Sequence, residues 1–207
     1  MRLLRLLLVF VLLVLCVAPL FADDVVQPPW PWYGPRTTYQ RWTFDTLNPN
    51  PSADWMANYY GLPTCAVTPG PGMGWLSNWM GRTGVWQLSG NIITGIPNVP
   101  DGQYKNMWIQ FTWFPQQVGQ LPNVKELLSN ETGNLVSQTM LENGWWHSIY
   151  SIRIYPNPVY EEIKIWGEIN VDELAIHTQC VVPEPSSLLA LSGGLLGLLG
   201  FARKRRN

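Results

Sequence analysis

Charge is scarce in this sequence. Of 207 residues, 13 are Lys or Arg and 14 are Asp or Glu, with two histidines and three cysteines. The cations are unevenly placed: two precede residue 23 and four follow residue 202, which leaves seven against 13 acidic residues in 23–181, a net charge of −6 there. A mildly acidic body without a basic stripe argues against nucleic acid and anionic membrane surfaces as partners. Heptads, a long amphipathic helix and a phosphate-cradling glycine motif are all missing. So are Gly-x-Ser-x-Gly, His-Glu-x-x-His and Ca²⁺-loop patterns, and no Cys-x-x-Cys pair exists to hold zinc. We therefore expect no metal, no cofactor and no catalytic activity. His147 and His177 read as strand-surface residues.

What the chain does have is punctuation and aromatic rings: 18 Pro, 18 Gly and 12 Trp. It also has a marked beginning and end. Residues 1–22 carry Arg2 and Arg5, an unbroken apolar run over 6–17, and Ala22 before two aspartates. That is a signal peptide, a leader helix that implies the Sec translocon and signal peptidase. Cys16 lies inside it, but Leu15 before it is too bulky for a lipoprotein signal. At the other end stand Val182, Pro183, Glu184 and Pro185, then residues 188–201 without charge, then Arg203, Lys204, Arg205 and Arg206. The apolar segment is short beside the roughly 20 residues that cross a bilayer comfortably. The basic end favours the cytoplasmic side of a membrane, which places everything before Val182 outside in a membrane-inserted precursor. Each proline fixes φ and lacks an N–H, so Pro-Glu-Pro stays extended for a processing enzyme.

This tripartite tail, 182–207, resembles the PEP-CTERM sorting signal of bacteria that make extracellular polysaccharide. The resemblance implies an exosortase that recognises Pro-Glu-Pro and removes the remainder, and a cell-envelope, outer-surface or secreted destination. The same tail is catalogued under the name of an ice-binding protein's C-terminal domain; the threonines here show no periodic array, and we reject ice binding. Three further stretches, 38–45, 81–90 and 155–158, and the closing phrase 169–180 are similar to uncharacterised surface proteins that carry this tail. They imply architecture and address only.

Between the ends, 23–181 has the length of one domain. The leader Pro28-Pro29-Trp30-Pro31-Trp32-Tyr33-Gly34-Pro35 reads as an extended segment. Residues 37–44 are β-formers, and 48–84 are broken so often by Pro and Gly that long surface loops are expected. Short strands follow at 85–88 and 91–96. In 104–114, Met107, Ile109, Phe111 and Trp113 alternate with Asn106, Trp108, Gln110 and Thr112. Residues 125–129 read as a helical turn. In 145–155, Trp146, Tyr150, Ile152 and Ile154 face inward; in the next strand Ile163, Ile165 and Ile169 do so; and the phase shifts near Asn170 to put Leu174, Ile176 and Cys180 inside. The expected fold is all-β, an antiparallel sandwich of jelly-roll type flanked by the signal helix and a hydrophobic sorting helix.

Cys65 and Cys180 are the two cysteines left after export and are the candidates for one disulfide. If neighbouring strands share their polar face, Trp108, Gln110, Trp145, Arg153, Tyr155 and Trp166 form a platform for a sugar chain, whose C–H faces stack on flat rings while amides and guanidinium bond hydroxyls. The expected function is a surface or matrix protein associated with exopolysaccharide. A purely structural or adhesive matrix protein is the alternative, and a glycan-active enzyme the third reading. For that third reading Asp45, Asp54, Glu168, Asp172 and Glu173 are the available carboxylates, with nothing to select a pair.

Overall fold

The computed structural model describes residues 24–182. The signal helix, the hydrophobic sorting helix and the basic end expected above lie outside the described residues. Among those described, no helix is long and apolar enough to cross a membrane. The described residues form twelve strands: β1 (Thr37–Trp42), β2 (Trp55–Ala57), β3 (Thr64–Thr68), β4 (Trp75–Trp79), β5 (Arg82–Leu88), β6 (Asn91–Pro97), β7 (Tyr104–Pro115), β8 (Asn123–Glu126), β9 (Asn134–Met140), β10 (Trp146–Ile154), β11 (Tyr160–Trp166) and β12 (Ile169–Val181).

Two antiparallel sheets result. The larger has the order β2-β1-β12-β7-β10-β9, with β5 beside the first part of β12 and β4 beyond β5; the smaller has the order β3-β6-β11-β8. The pairs are nested in sequence: β1 with β12, β6 with β11, β7 with β10, and at the centre β8 touching the approach to β9 through Lys125 and Thr132. Such a hairpin rolled over two sheets is the jelly-roll pattern. Strand β9 pairs with β10 in the larger sheet rather than completing the smaller one.

The period-2 alternation determines which side chains meet between the sheets. Met107, Ile109, Phe111 and Trp113 from β7 and Ile152 and Ile154 from β10 are buried against Ile163 and Ile165 of β11 and Ile92 and Ile96 of β6. Phe111 and Tyr150 stack at 5.7 Å between centroids. Each fully buried side chain of this size contributes about 1.5–3 kcal/mol by transfer from water. The phase shift foreseen near Asn170 is a bulge between Val171 and Glu173, which leaves Ile169, Val171, Leu174 and Ile176 all facing the core. Gly84 in β5 has φ +74° and runs against Phe44, whose carbonyl oxygen a Cβ would approach to 2.6 Å. Only glycine fits there.

Three expectations are corrected. Residues 48–84 are not uniformly loop but hold β2, β3 and β4, because segments of three to five residues between Pro and Gly find partners in β1, β6 and β5. Residues 125–129 make no helical turn: β8 runs to Glu126, whose carboxylate then caps the bend by accepting from Ser129 N and Oγ. Cys65 and Cys180 do not pair. Both are free and buried, Cys65 within the core cluster and Cys180 against Asn98 and Lys105. Burial pushes the Cys65 thiol up to about 12.

Candidate functional site

Alternation also decides what faces away from the core on the larger sheet. Register places Tyr39, His177, Trp108, Ser151 and Asn134 in one row across five strands, and Gln179, Asn106 and Arg153 in the next. In a bare sheet this face would be wet. Here the leader straps it. Asp24 accepts from Thr112 Oγ1 at 3.1 Å and pairs with Arg82 at 2.7 Å. The Gln110 side chain bonds the Val26 backbone both ways, accepting from N at 2.8 Å and donating to O at 2.7 Å, as a neighbouring strand would. Trp30 then meets Trp108 edge-on at 6.1 Å, and Trp32 packs on Tyr39 and His177 at 5.3 and 4.4 Å. Tyr33 ends the strap beside Trp55.

The strap explains both histidines. His177 is fully buried among rings, its nitrogens have no hydrogen-bond partner among the described residues, and burial pushes it down to about 3. His147 is also held below its ordinary value by burial, with Asp24 pulling the other way. Because Gln110 acts as a surrogate strand, Gln110→Leu is expected to free the leader while the sandwich persists. Limited proteolysis should then cut within residues 24–35 several times faster than in the parent, with the core fragment intact.

Two open grooves flank the strap. The first, about 640 Å³, is bordered by Trp30, Trp108, Asn106, Asn134, Ser151 and Arg153. Arg153 is ordered in it by donating to Asn106 Oδ1 at 3.1 Å and by lying over the Tyr104 ring at 4.7 Å. The second, about 410 Å³, lies between Trp32, Tyr33, Tyr39, Trp55 and Arg41. Flat rings beside amides, a hydroxyl and a guanidinium can stack an apolar face and bond polar substituents at once.

Of the six platform residues, Trp108 and Arg153 meet in the first groove. Gln110 is occupied by the leader. Trp145 is 1% exposed, turned in behind Trp79 and Phe114 with its indole donating to Met80 O. Tyr155 is exposed beyond the end of β10, and Trp166 belongs to the smaller sheet, under Lys164. Asn106 and Ser151, which alternation puts on the outward face with Trp108 and Arg153, were left out of the platform, and Asn134 and Trp30 were missed, β9 showing no alternation.

The carboxylates separate as well. Asp45, Asp172 and Glu173 border one cleft at the β12 bulge, but Glu173 pairs with Arg41 at 2.6 Å and Asp172 with Arg82 at 2.8 Å. Burial raises Asp172 to about 6 against the pull of Arg82. Asp54 accepts from the Thr43 N–H nearby, and Glu168 lies apart, bonded to Gln117. Among the described residues no cluster of His, Cys, Asp and Glu could hold a metal ion.

Strand β12 ends at Val181, and Val182 leaves the sandwich into solvent. From Val181 on, residues 181–206 match the family model of the PEP-CTERM protein-sorting motif. The chain carries a PEP-CTERM tail. It is thus an exported protein sorted to the cell surface, with exosortase as the enzyme that handles the motif. No curated protein and no solved structure matches the chain. The PEP-CTERM motif begins on the last residue of the last strand, so the body and its address meet without a linker.

Proposed function

We propose that this PEP-CTERM protein is a non-catalytic polysaccharide-binding component of the outer surface, taking a sugar chain in the groove beside Trp30 and Trp108. One observation carries the reading: two tryptophans border a groove of about 640 Å³ together with Asn106, Asn134, Ser151 and Arg153. Sugars need a ring to stack on and neutral or cationic donors for hydroxyls, and this groove supplies both without a carboxylate. The engagement of Asp172 and Glu173 by arginines supports a non-catalytic role. In this reading the signal peptide of residues 1–22 directs export through the Sec translocon, signal peptidase removes it, and the precursor stays membrane-inserted with its basic end cytoplasmic until exosortase acts.

The test is affinity electrophoresis through gels containing bacterial exopolysaccharides. The parent is expected to be retarded by at least one of them, Trp108→Ala and Trp30→Ala to lose most of the retardation, and Trp166→Ala on the opposite sheet to keep it. A parent that no polysaccharide retards, or a loss shared by Trp166→Ala, overturns the reading. A structural or adhesive role without a defined ligand is favoured by a different feature: β9 is an uncharged edge strand that exposes Leu135, Val136 and Met140.

A further inference from the structure

A buried polar cluster lies away from the grooves, between the sheets where β6 gives way to β7. Parity puts Lys105 on the core face of β7 and Glu161 on the core face of β11, and both are fully buried, with Nζ 3.2 Å from Oε1. Asn98, 8% exposed, is the first residue after β6. Its Oδ1 accepts from the Cys180 thiol at 3.0 Å, and its Nδ2 donates to Asn157 Oδ1 at 3.0 Å and Pro158 O at 2.8 Å. Cys180 Sγ is also 3.4 Å from Lys105 Nζ, so amine and carboxamide share one neighbour. Burial raises Glu161 to about 7, the neighbouring Lys105 pulls it back, Glu126 adds to the rise, and Asn98 exerts the smallest downward pull.

As a non-covalent device this arrangement is poor. Stripping water from a Lys–Glu pair costs several kcal/mol per ion, and apolar residues of similar size usually do as well or better. As a reactive centre it is complete: a buried amine, a polarised carboxamide and an acid that exchanges protons near neutrality. We propose that Lys105 and Asn98 form an intramolecular amide cross-link, with Glu161 as proton shuttle.

The atoms balance without a redox partner. Glu161 takes one proton from the Lys105 ammonium, and the freed lone pair forms the Nζ–Cγ bond to Asn98. The carbonyl electron pair moves to Oδ1, where the Cys180 S–H donates to it. A second proton passes from Nζ through Glu161 to Nδ2, the carbonyl re-forms, and the Cγ–Nδ2 bond breaks. Ammonia leaves, and Glu161 keeps the first proton. The product ties the end of β6 in the smaller sheet to the start of β7 in the larger one.

Peptide mapping of the full chain, expressed and recovered in folded form, tests this directly. Arg82, Lys105 and Lys125 are the only tryptic sites in their region, so Asn98 and Lys105 fall in one peptide. The cross-link predicts a peptide of residues 83–125, uncut after Lys105 and lighter by one ammonia. Recovery of 83–105 and 106–125 at full mass overturns the proposal. So does a loss of ammonia with cleavage after Lys105 retained, which marks a succinimide, and so does a hydroxylamine-labile link to Cys180, which marks a thioester. Glu161→Gln and Lys105→Met are expected to give Asn98 at full mass. Should neither variant fold, the map of the parent alone decides.

Discussion

Trp113→Ala is expected to lower the unfolding free energy by about 3–5 kcal/mol, a large share of a single domain's stability. Trp113 is 1% exposed on the core face of β7, with Trp146 and Val171 opposite it on β10 and β12. Its indole donates to Ser148 Oγ at 2.8 Å. Truncation removes the ring from the core cluster, and backbones held in ladders on both sides cannot collapse into the space. Urea denaturation should show a lower midpoint with little change in slope. Trp113→Phe, which keeps most of the volume and loses only the hydrogen bond, should cost about 1–2 kcal/mol. A loss under about 1 kcal/mol for the alanine variant would mean that the sheets do not close over this residue.

Acid is expected to unfold the protein through His177. Unfolded, this histidine takes a proton near its ordinary value of 6.5; folded, burial among Trp32 and Tyr39 holds it at about 3. Between those values the unfolded chain binds the extra proton, so stability is full above 6.5 and falls as pH drops toward 3. Glu161 and Asp172 act in the opposite sense. Their folded values, about 7 and about 6, lie above the ordinary carboxylate range, so the folded state binds more protons there and gains from acidification until the ordinary values are reached. The parent curve therefore sums opposing slopes, and a comparison isolates the histidine. Relative to His177→Phe, the parent should lose about 3 kcal/mol of stability between about pH 7 and pH 4. A difference that does not change with pH would mean that His177 is not held neutral in the fold.

Legibility in the sequence followed physical range. Alternation is local, so the inward faces of β7, β10 and β11 could be read directly, and the bulge in β12 was placed within about two residues. Strands β2, β3 and β4 could not be, because each is too short to show a period and exists only through partners elsewhere in the chain. The candidate site shows the same division. Trp108 and Arg153 were placed correctly by parity. Trp145 was misread because the β4–β5 turn covers it, with Trp79, Met80 and Arg82 packed against its ring, and Trp166 because parity says nothing about which sheet a strand joins. Nothing local announces that Gln110 meets Val26, 84 residues earlier. The two cysteines failed for a related reason: each is inward on its own strand, but the strands belong to different sheets and their thiols meet different neighbours.

Strand β12 is the last strand of the body to be made. It is also the strand that β1, β5 and β7 all require, since each is hydrogen-bonded to it. Until it is present, the larger sheet lacks its middle and stays in three pieces, β1 with β2, β4 with β5, and β7 with β10 and β9. Closure waits for the segment that ends where the sorting motif starts. Completion of the fold and the start of the address therefore coincide along the chain, and a chain cut short before Ile169 would have neither.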